Sequence, residues 1–485
     1  MSSIKENFIY NVAYQILLVL LPLVTAPYIS RTLGATAIGV YSYTNSIAYY
    51  FLMIAMLGIS NHGNRSIAAV RHDKEKLNKT FSSIYTLQIF TFAIAIIAYS
   101  LYIIFGVKQD RLIVGLQMLY VISGLFDISW LFFGLEKFKL TVIRNLLIKL
   151  ITVLCMFVFV HTPDDLWKYT LIMSVGTLIS QLYLWKYVKR YVKFVRVNLH
   201  EVFLNIKPVL ILFVPVLAYS IYKVMDKIMV GSMSTYEQVG FYQNAEKIVN
   251  IPMGIITALG TVMLPRMSNL ISLGNKEKTQ QYIRISFKFV TVLCSAIGFG
   301  LMGVSHILAP VYLGNEFRKC SSIIFMLSIT VFFIAWANII RTQYLIPNHY
   351  DKVYLISTII GAAFNLIANL ILIPQFQANG AAIGTIIAEG SVLIVQMVAV
   401  RKELPIVKYI VSYSPILLIG IFMMVIVDFM GGNLGENIIT LVAQIGIGGA
   451  FFCCLVAVYL FFKKDELWIL LIDTLKKEKT KNTHV

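Results

Sequence analysis

The chain has 485 residues, 58% hydrophobic and only 13% charged, with a formal net charge of +18 and a mean hydropathy of +0.79. A soluble domain carries about a quarter charged residues and cannot bury so much apolar surface, so soluble enzymes and soluble nucleic-acid-binding proteins are excluded. The composition is that of an all-α polytopic membrane protein.

Fourteen apolar spans of about 20 residues, the length that crosses the hydrocarbon, are predicted at 8–30, 38–60, 80–106, 112–134, 144–161, 167–187, 208–231, 239–263, 285–310, 320–346, 353–374, 381–400, 408–430 and 438–462. The first is too long for a cleavable leader, carries Asn11 and Gln15, and lacks a small-residue cleavage site. With the N-terminus placed inside, 32 of the 41 Lys and Arg fall in cytoplasmic segments. Six (Arg31, Lys108, Arg111, Lys168, Arg318 and Lys319) fall outside, and Lys223, Lys227 and Lys247 fall within spans. That bias places both termini in the cytoplasm. The basic excess then reflects topology and affinity for anionic membrane lipids, not nucleic acid.

Gly39-Val40-Tyr41, opening the second span, recurs as Gly240-Phe241-Tyr242, opening the eighth, at an offset of 201 residues. Along the same alignment Ile47 meets Ile248 and Arg65 meets Arg266, while Leu57-Gly58 falls one residue out of register with Leu259-Gly260. Displacement by six spans, an even number, gives two pseudo-symmetric halves of the same orientation. The expected organisation is an N-lobe over 1–187, a basic interfacial linker over 188–207, a C-lobe over 208–402, helices 13 and 14 over 403–462, and a basic cytoplasmic tail over 463–485.

Charge at membrane depth is expensive and faces a protein-lined cavity by default. Lys223, Asp226 and Lys227 lie inside the seventh span, Glu246 and Lys247 inside the eighth. At about 100° per residue Lys223 and Lys227 share one helix face, with Asp226 about 60° away, giving one polar stripe. The alternative is that Asp226 and Glu246 only neutralise neighbouring lysines. Asn365 and Asn369, one turn apart on the eleventh span, and Thr385 with the Ala381 carbonyl on the twelfth, add oxygen donors. With Asp226 they offer the hard ligand set that a small cation prefers; amides bonding across a helix interface are the competing reading. Asp127 in the fourth span and Glu389 beyond Thr385 are further candidate coupling carboxylates. Tyr219, Tyr222 and Trp336 are candidates for sugar contact or for plain packing.

No G-x-x-x-x-G-K-[ST] loop is present to cradle ATP, and the seven His are isolated. Cys155, Cys294, Cys320, Cys453 and Cys454 have neither disulfide nor zinc-site spacing. Such a chain is expected to be a transporter, not an enzyme.

Arg31-Thr32-Leu33-Gly34 leading to Gly39-Val40-Tyr41, then the stretches 225–231, 240–242, 259–266 and 379–385, resemble hallmarks of the polysaccharide transport family. These are the Wzx-type flippases of the multidrug/oligosaccharidyl-lipid/polysaccharide (MOP) exporter superfamily. The resemblance, over roughly residues 5–405, implies two six-helix lobes in a V followed by two helices. It implies alternating-access translocation of undecaprenyl-pyrophosphate-linked oligosaccharides across a bacterial cytoplasmic membrane. A polysaccharide polymerase and its chain-length machinery are the further partners it implies. Arg31 and Lys247 match positions of cavity arginines in the related lipid II flippases, and with Lys223 and Lys227 they are the expected pyrophosphate ligands. Lys247 departs from that pattern, because lysine meets phosphate as a point charge without a bidentate fork. Arg31 reads equally as an anchor at the outer rim. Asp226, Asn365, Asn369, Ala381 and Thr385 resemble a sodium site of those flippases in which one Asn is Asp. Coupling to sodium, to protons or to neither therefore stays open, and no other cofactor is expected. A lipid II flippase and a cation-coupled drug or metabolite exporter are the alternatives. A membrane glycosyltransferase or polymerase would need large extracytoplasmic loops, and the loops here are short.

Overall fold

A computed structural model describes residues 4–463, with side chains from residue 21 onward apart from that of Tyr222. The expected basic tail beyond Lys463 and the Tyr222 side chain therefore lie outside what is described. By packing, the chain divides after Gly240 into two compact units.

The first unit begins with α1 (Ile4–Met56), which holds the first two predicted spans and bends at Gly34, whose φ of 76° favours a residue without a Cβ. There follow α2 (Ile59–Val70), α3 (Lys74–Leu101), α4 (Arg111–Leu125), α5 (Ser129–Gly134), α6 (Phe138–Phe159), α7 (Leu166–Tyr191), α8 (Leu199–Phe203), α9 (Ile206–Met233) and the start of α10 (Tyr236–Ser272). The second unit takes the rest of α10, then α11 (Lys276–Leu308), α12 (Cys320–Ile340), α13 (Asp351–Val400), α14 (Ile406–Ser412), α15 (Ser414–Leu434) and α16 (Ile438–Phe462). Within α13, Gln377 at φ 55° separates the eleventh and twelfth spans. Every predicted span thus falls largely on helix. Ten helical stretches among the described residues are long and apolar enough to cross a membrane. Helices are what lipid demands, since each backbone polar group must be satisfied within its own segment.

Short polar residues set the helix starts. Asp73 accepts from the Lys76 amide at 3.1 Å, Asn275 from that of Lys278 at 3.1 Å, and Asn437 from that of Thr440 at 2.8 Å. In the first unit, Ile59, Ile67, Phe81, Trp130 and Phe132 form one fully buried cluster. The 188–207 segment is sewn onto α3: the Lys193 amide donates to Asn78 at 2.8 Å and the Val195 amide to Ser82 Oγ at 3.0 Å. Phe194 adds a stacked ring against Trp185. In the second unit the last two helices pack on α11 through close approaches. A Cβ on Gly420 would strike the Phe299 ring, and one on Gly303 the Met424 carbonyl.

Two features depart from the expected spans. The fourth span is broken between α4 and α5. The fifth begins earlier than expected, at Phe138, and Arg144, at the expected start of the span, is buried on that helix at 5% exposure.

Candidate functional site

The charged stripe of the first unit is carried by α9, which runs without a break from Ile206 to Met233. Asp226 is buried at 2% exposure, while Lys223 and Lys227 are half-buried on either side of it. Helical spacing keeps the two lysines on one face. The Tyr50 hydroxyl of α1 donates to the Ser220 carbonyl at 3.0 Å, fixing α9 just before the stripe. Arg31 is exposed on α1, three residues before the Gly34 bend. Tyr219 is 48% exposed. Glu246 and Lys247 belong to the second unit, both half-buried on α10. As sequence neighbours they project about 100° apart.

The second unit gathers the oxygen donors. Asn365 and Asn369 lie before the Gln377 break of α13, Ala381 and Thr385 after it, and all four are buried. Asn369 Nδ2 donates to Asn365 Oδ1 at 3.2 Å, and Thr385 Oγ1 to the Ala381 carbonyl at 3.0 Å. Gly384 joins the two segments, because its missing side chain leaves room for Asn369 Oδ1. Asn365 Nδ2 is buried without a hydrogen-bond partner. The Gly384 approach sets Asn369 Oδ1 beside the segment that carries Ala381 and Thr385, and neutral oxygens of this kind are ligands that a small hard cation accepts. Asp226, the fifth expected ligand, lies in the other unit. Glu389 is buried one turn beyond Thr385. Trp336 is buried, and its indole donates to Thr291 Oγ1 at 3.1 Å.

Asp127 stands at the break between α4 and α5, where its Oδ1 accepts from the Ser129 amide at 2.9 Å. Around it lies a polar network that span counting missed. Gln88 Nε2 donates to the carbonyls of Gly124, Leu125 and Asp127 at 2.9, 3.2 and 3.0 Å. The Trp185 indole takes the Phe126 carbonyl at 2.9 Å. Arg144 reaches Gln181 Oε1 at 3.0 Å and Ser129 Oγ at 3.4 Å. Of this network the sequence singles out Asp127 alone; Gln88, a glutamine within an apolar span, is the residue that could have signalled the rest.

Among the described residues the structure is all-helical, with ten stretches long and apolar enough to cross a membrane and with Asp226, Asn365, Asn369, Thr385 and Glu389 buried on its helices. The chain's family is the one described as polysaccharide biosynthesis protein, whose pattern matches residues 4–271; the chain belongs to it. An Escherichia coli relative named "Putative O-antigen transporter" is 24% identical over 405 residues, spanning 83% of this chain and 97% of its own. Among solved structures, the lipid II flippase MurJ in an inward closed conformation superposes with a TM-score of 0.74 at 16% identity, covering 93% of this chain and 98% of that one. An inward-facing multidrug resistance MATE transporter of the MOP superfamily gives 0.59 at 16% identity, covering 82% of this chain and 98% of that one. These likenesses show the fold, and the family is the one the sequence motifs resemble.

Proposed function

We propose that this protein moves undecaprenyl-pyrophosphate-linked oligosaccharide repeat units from the cytoplasmic to the outer leaflet of a bacterial cytoplasmic membrane, for surface polysaccharide assembly. The observation that carries the reading is the Lys223–Asp226–Lys227 stripe on an unbroken helix of a polysaccharide-biosynthesis family member. A pyrophosphate that leaves water needs replacement by fixed positive charge and hydrogen-bond donors. Lys223 and Lys227 on α9, Lys247 on α10 and Arg31 on α1 supply such groups, with Asp226 and Glu246 limiting their mutual repulsion. Alternating access between two lobes, with both termini cytoplasmic, fits the positive-inside bias.

The α13 donors form the coupling site in this proposal. Asn365, Asn369, the Ala381 carbonyl and Thr385 would hold a sodium ion, whose gradient supplies the driving force; Asp127 and Glu389 are the carboxylates available if protons serve instead. A lipid II flippase is the second reading, favoured by the same pyrophosphate chemistry. The test is translocation in proteoliposomes holding the full chain. Exposure of an undecaprenyl-pyrophosphate-linked oligosaccharide, but not of lipid II, at the trans leaflet is the expected result. Movement of lipid II alone would select the second reading, and movement of neither would reject both.

A further inference from the structure

Two of the motif stretches, 240–242 and 379–385, meet through a hydrogen bond. Tyr242 is buried at 2% exposure, and its hydroxyl lies 2.9 Å from Thr385 Oγ1. Its neighbour Phe241 is pinned to α12, its carbonyl accepting from Cys320 Sγ at 3.3 Å and its ring set edge-on against buried Phe317.

A threonine hydroxyl carries one proton. When Thr385 donates it to the Ala381 carbonyl, 3.0 Å away, the tyrosine must be the donor in the Tyr242–Thr385 bond. A cation held by the Ala381 carbonyl and the Thr385 oxygen cannot share that space with a proton pointing between them. The threonine proton then has to turn away, and the Tyr242 oxygen lies within reach to accept it. We propose that Tyr242 is a positioning residue of the cation site: a hydroxyl that reverses from donor to acceptor as the ion binds, and so sets the orientation of the Thr385 lone pair. The proposal rests on the cation reading of α13 given above.

The test uses the purified full chain in detergent. Its thermal unfolding midpoint is followed against NaCl, with choline chloride holding ionic strength constant. Wild type is expected to gain a saturable, sodium-specific rise, Thr385→Ser to keep it, and Asn369→Ala to lose it. Tyr242→Phe keeps the ring and is expected to raise the half-saturating sodium concentration about tenfold, the worth of one hydrogen bond of about 1.4 kcal/mol. A Tyr242→Phe response equal to wild type, with Asn369→Ala still defective, overturns the role of Tyr242 and leaves the site standing. Absence of a sodium response in wild type overturns the site and this role together. If Tyr242→Phe does not fold, the sodium-minus-choline infrared difference spectrum of wild type decides. A shifted tyrosine C–O band is expected, and a spectrum without one overturns the reversal.

Discussion

Gly39 and Gly240 occupy one crossing reciprocally. A Cβ on Gly39 would overlap the Tyr236 carbonyl, and one on Gly240 would overlap the Ala35 carbonyl. Residues 35 and 236, like 39 and 240, are separated by the same offset of 201. Each glycine therefore meets the counterpart of the residue that the other meets, the self-complementary pattern of a two-fold contact. The repeated Gly-x-Tyr motif is thus explained by backbone approach: small residues let helix backbones come together where lipid gives no hydrophobic drive.

Gly39→Ala and Gly240→Ala are each expected to cost about 1–3 kcal/mol, the usual penalty of overpacking. Because both act at one crossing, the double variant should cost less than the sum. Thermal unfolding in detergent reads both effects. Midpoints equal to wild type would show that the crossing yields without strain.

Gln88 is fully buried and holds the α4–α5 break with three donated contacts, while its oxygen accepts from the Trp130 indole at 3.1 Å. Gln88→Leu removes the donors and leaves buried carbonyls and an indole N–H unsatisfied, at about 1–3 kcal/mol per group. Trp130→Phe removes one bond together with part of the packing. Gln88→Glu keeps an acceptor for the indole but no amide donor, and should fall close to Gln88→Leu. Stability of Gln88→Glu equal to wild type would contradict the assignment of the carbonyls to Gln88.

Asp165 begins α7 in the loop between the fifth and sixth spans. Its carboxylate pairs with Lys168 at 2.6 Å and accepts from the amides of His161 and Thr162 at 2.9 and 3.0 Å. The Lys168 bond first, then the amides, hold it well below the ordinary carboxylate range. A carboxyl depressed in the folded state stabilises fully above its unfolded pKa, and the contribution fades as pH falls through the folded value. The gap in unfolding midpoint between wild type and Asp165→Asn should hold steady from neutral pH down to the ordinary carboxylate range, then narrow in stronger acid. A gap that narrows already between pH 7 and 6 would contradict this.

Hydropathy located the spans because lipid imposes helix on every apolar stretch of that length, and the last two, 408–430 and 438–462, fall on α14–α15, divided at Tyr413, and on α16. Local polar geometry was not legible in the same way. Arg144 counts as a loop charge in any positive-inside tally, yet α6 starts at Phe138 and buries it against Gln181 and Ser129. The break at Asp127 leaves no hydropathy signal, since Phe126, Ile128 and Trp130 keep the run apolar; only the partner on α3 reveals it. Leu57-Gly58, one residue out of register in the repeat, ends α1 with Leu57 at φ 47°, whereas α10 continues through Leu259-Gly260. Spacing on one helix was enough to place Lys223 with Lys227, and Asn365 with Asn369, on common helix faces. The Tyr242–Thr385 bond joins residues 143 apart, and no periodicity could have joined them.

The proposed role of the half-buried lysines on α9 and on α10 is to carry a pyrophosphate-linked sugar. Complementation of a bacterial strain lacking its repeat-unit flippase tests it most directly, comparing wild type with Lys223→Ala, Lys247→Ala and Lys247→Arg at matched membrane levels. Wild type and Lys247→Arg are expected to restore surface polysaccharide, and both alanine variants to restore at least tenfold less, roughly the loss of one charge-assisted hydrogen bond. Full restoration by Lys223→Ala and Lys247→Ala would contradict the claim.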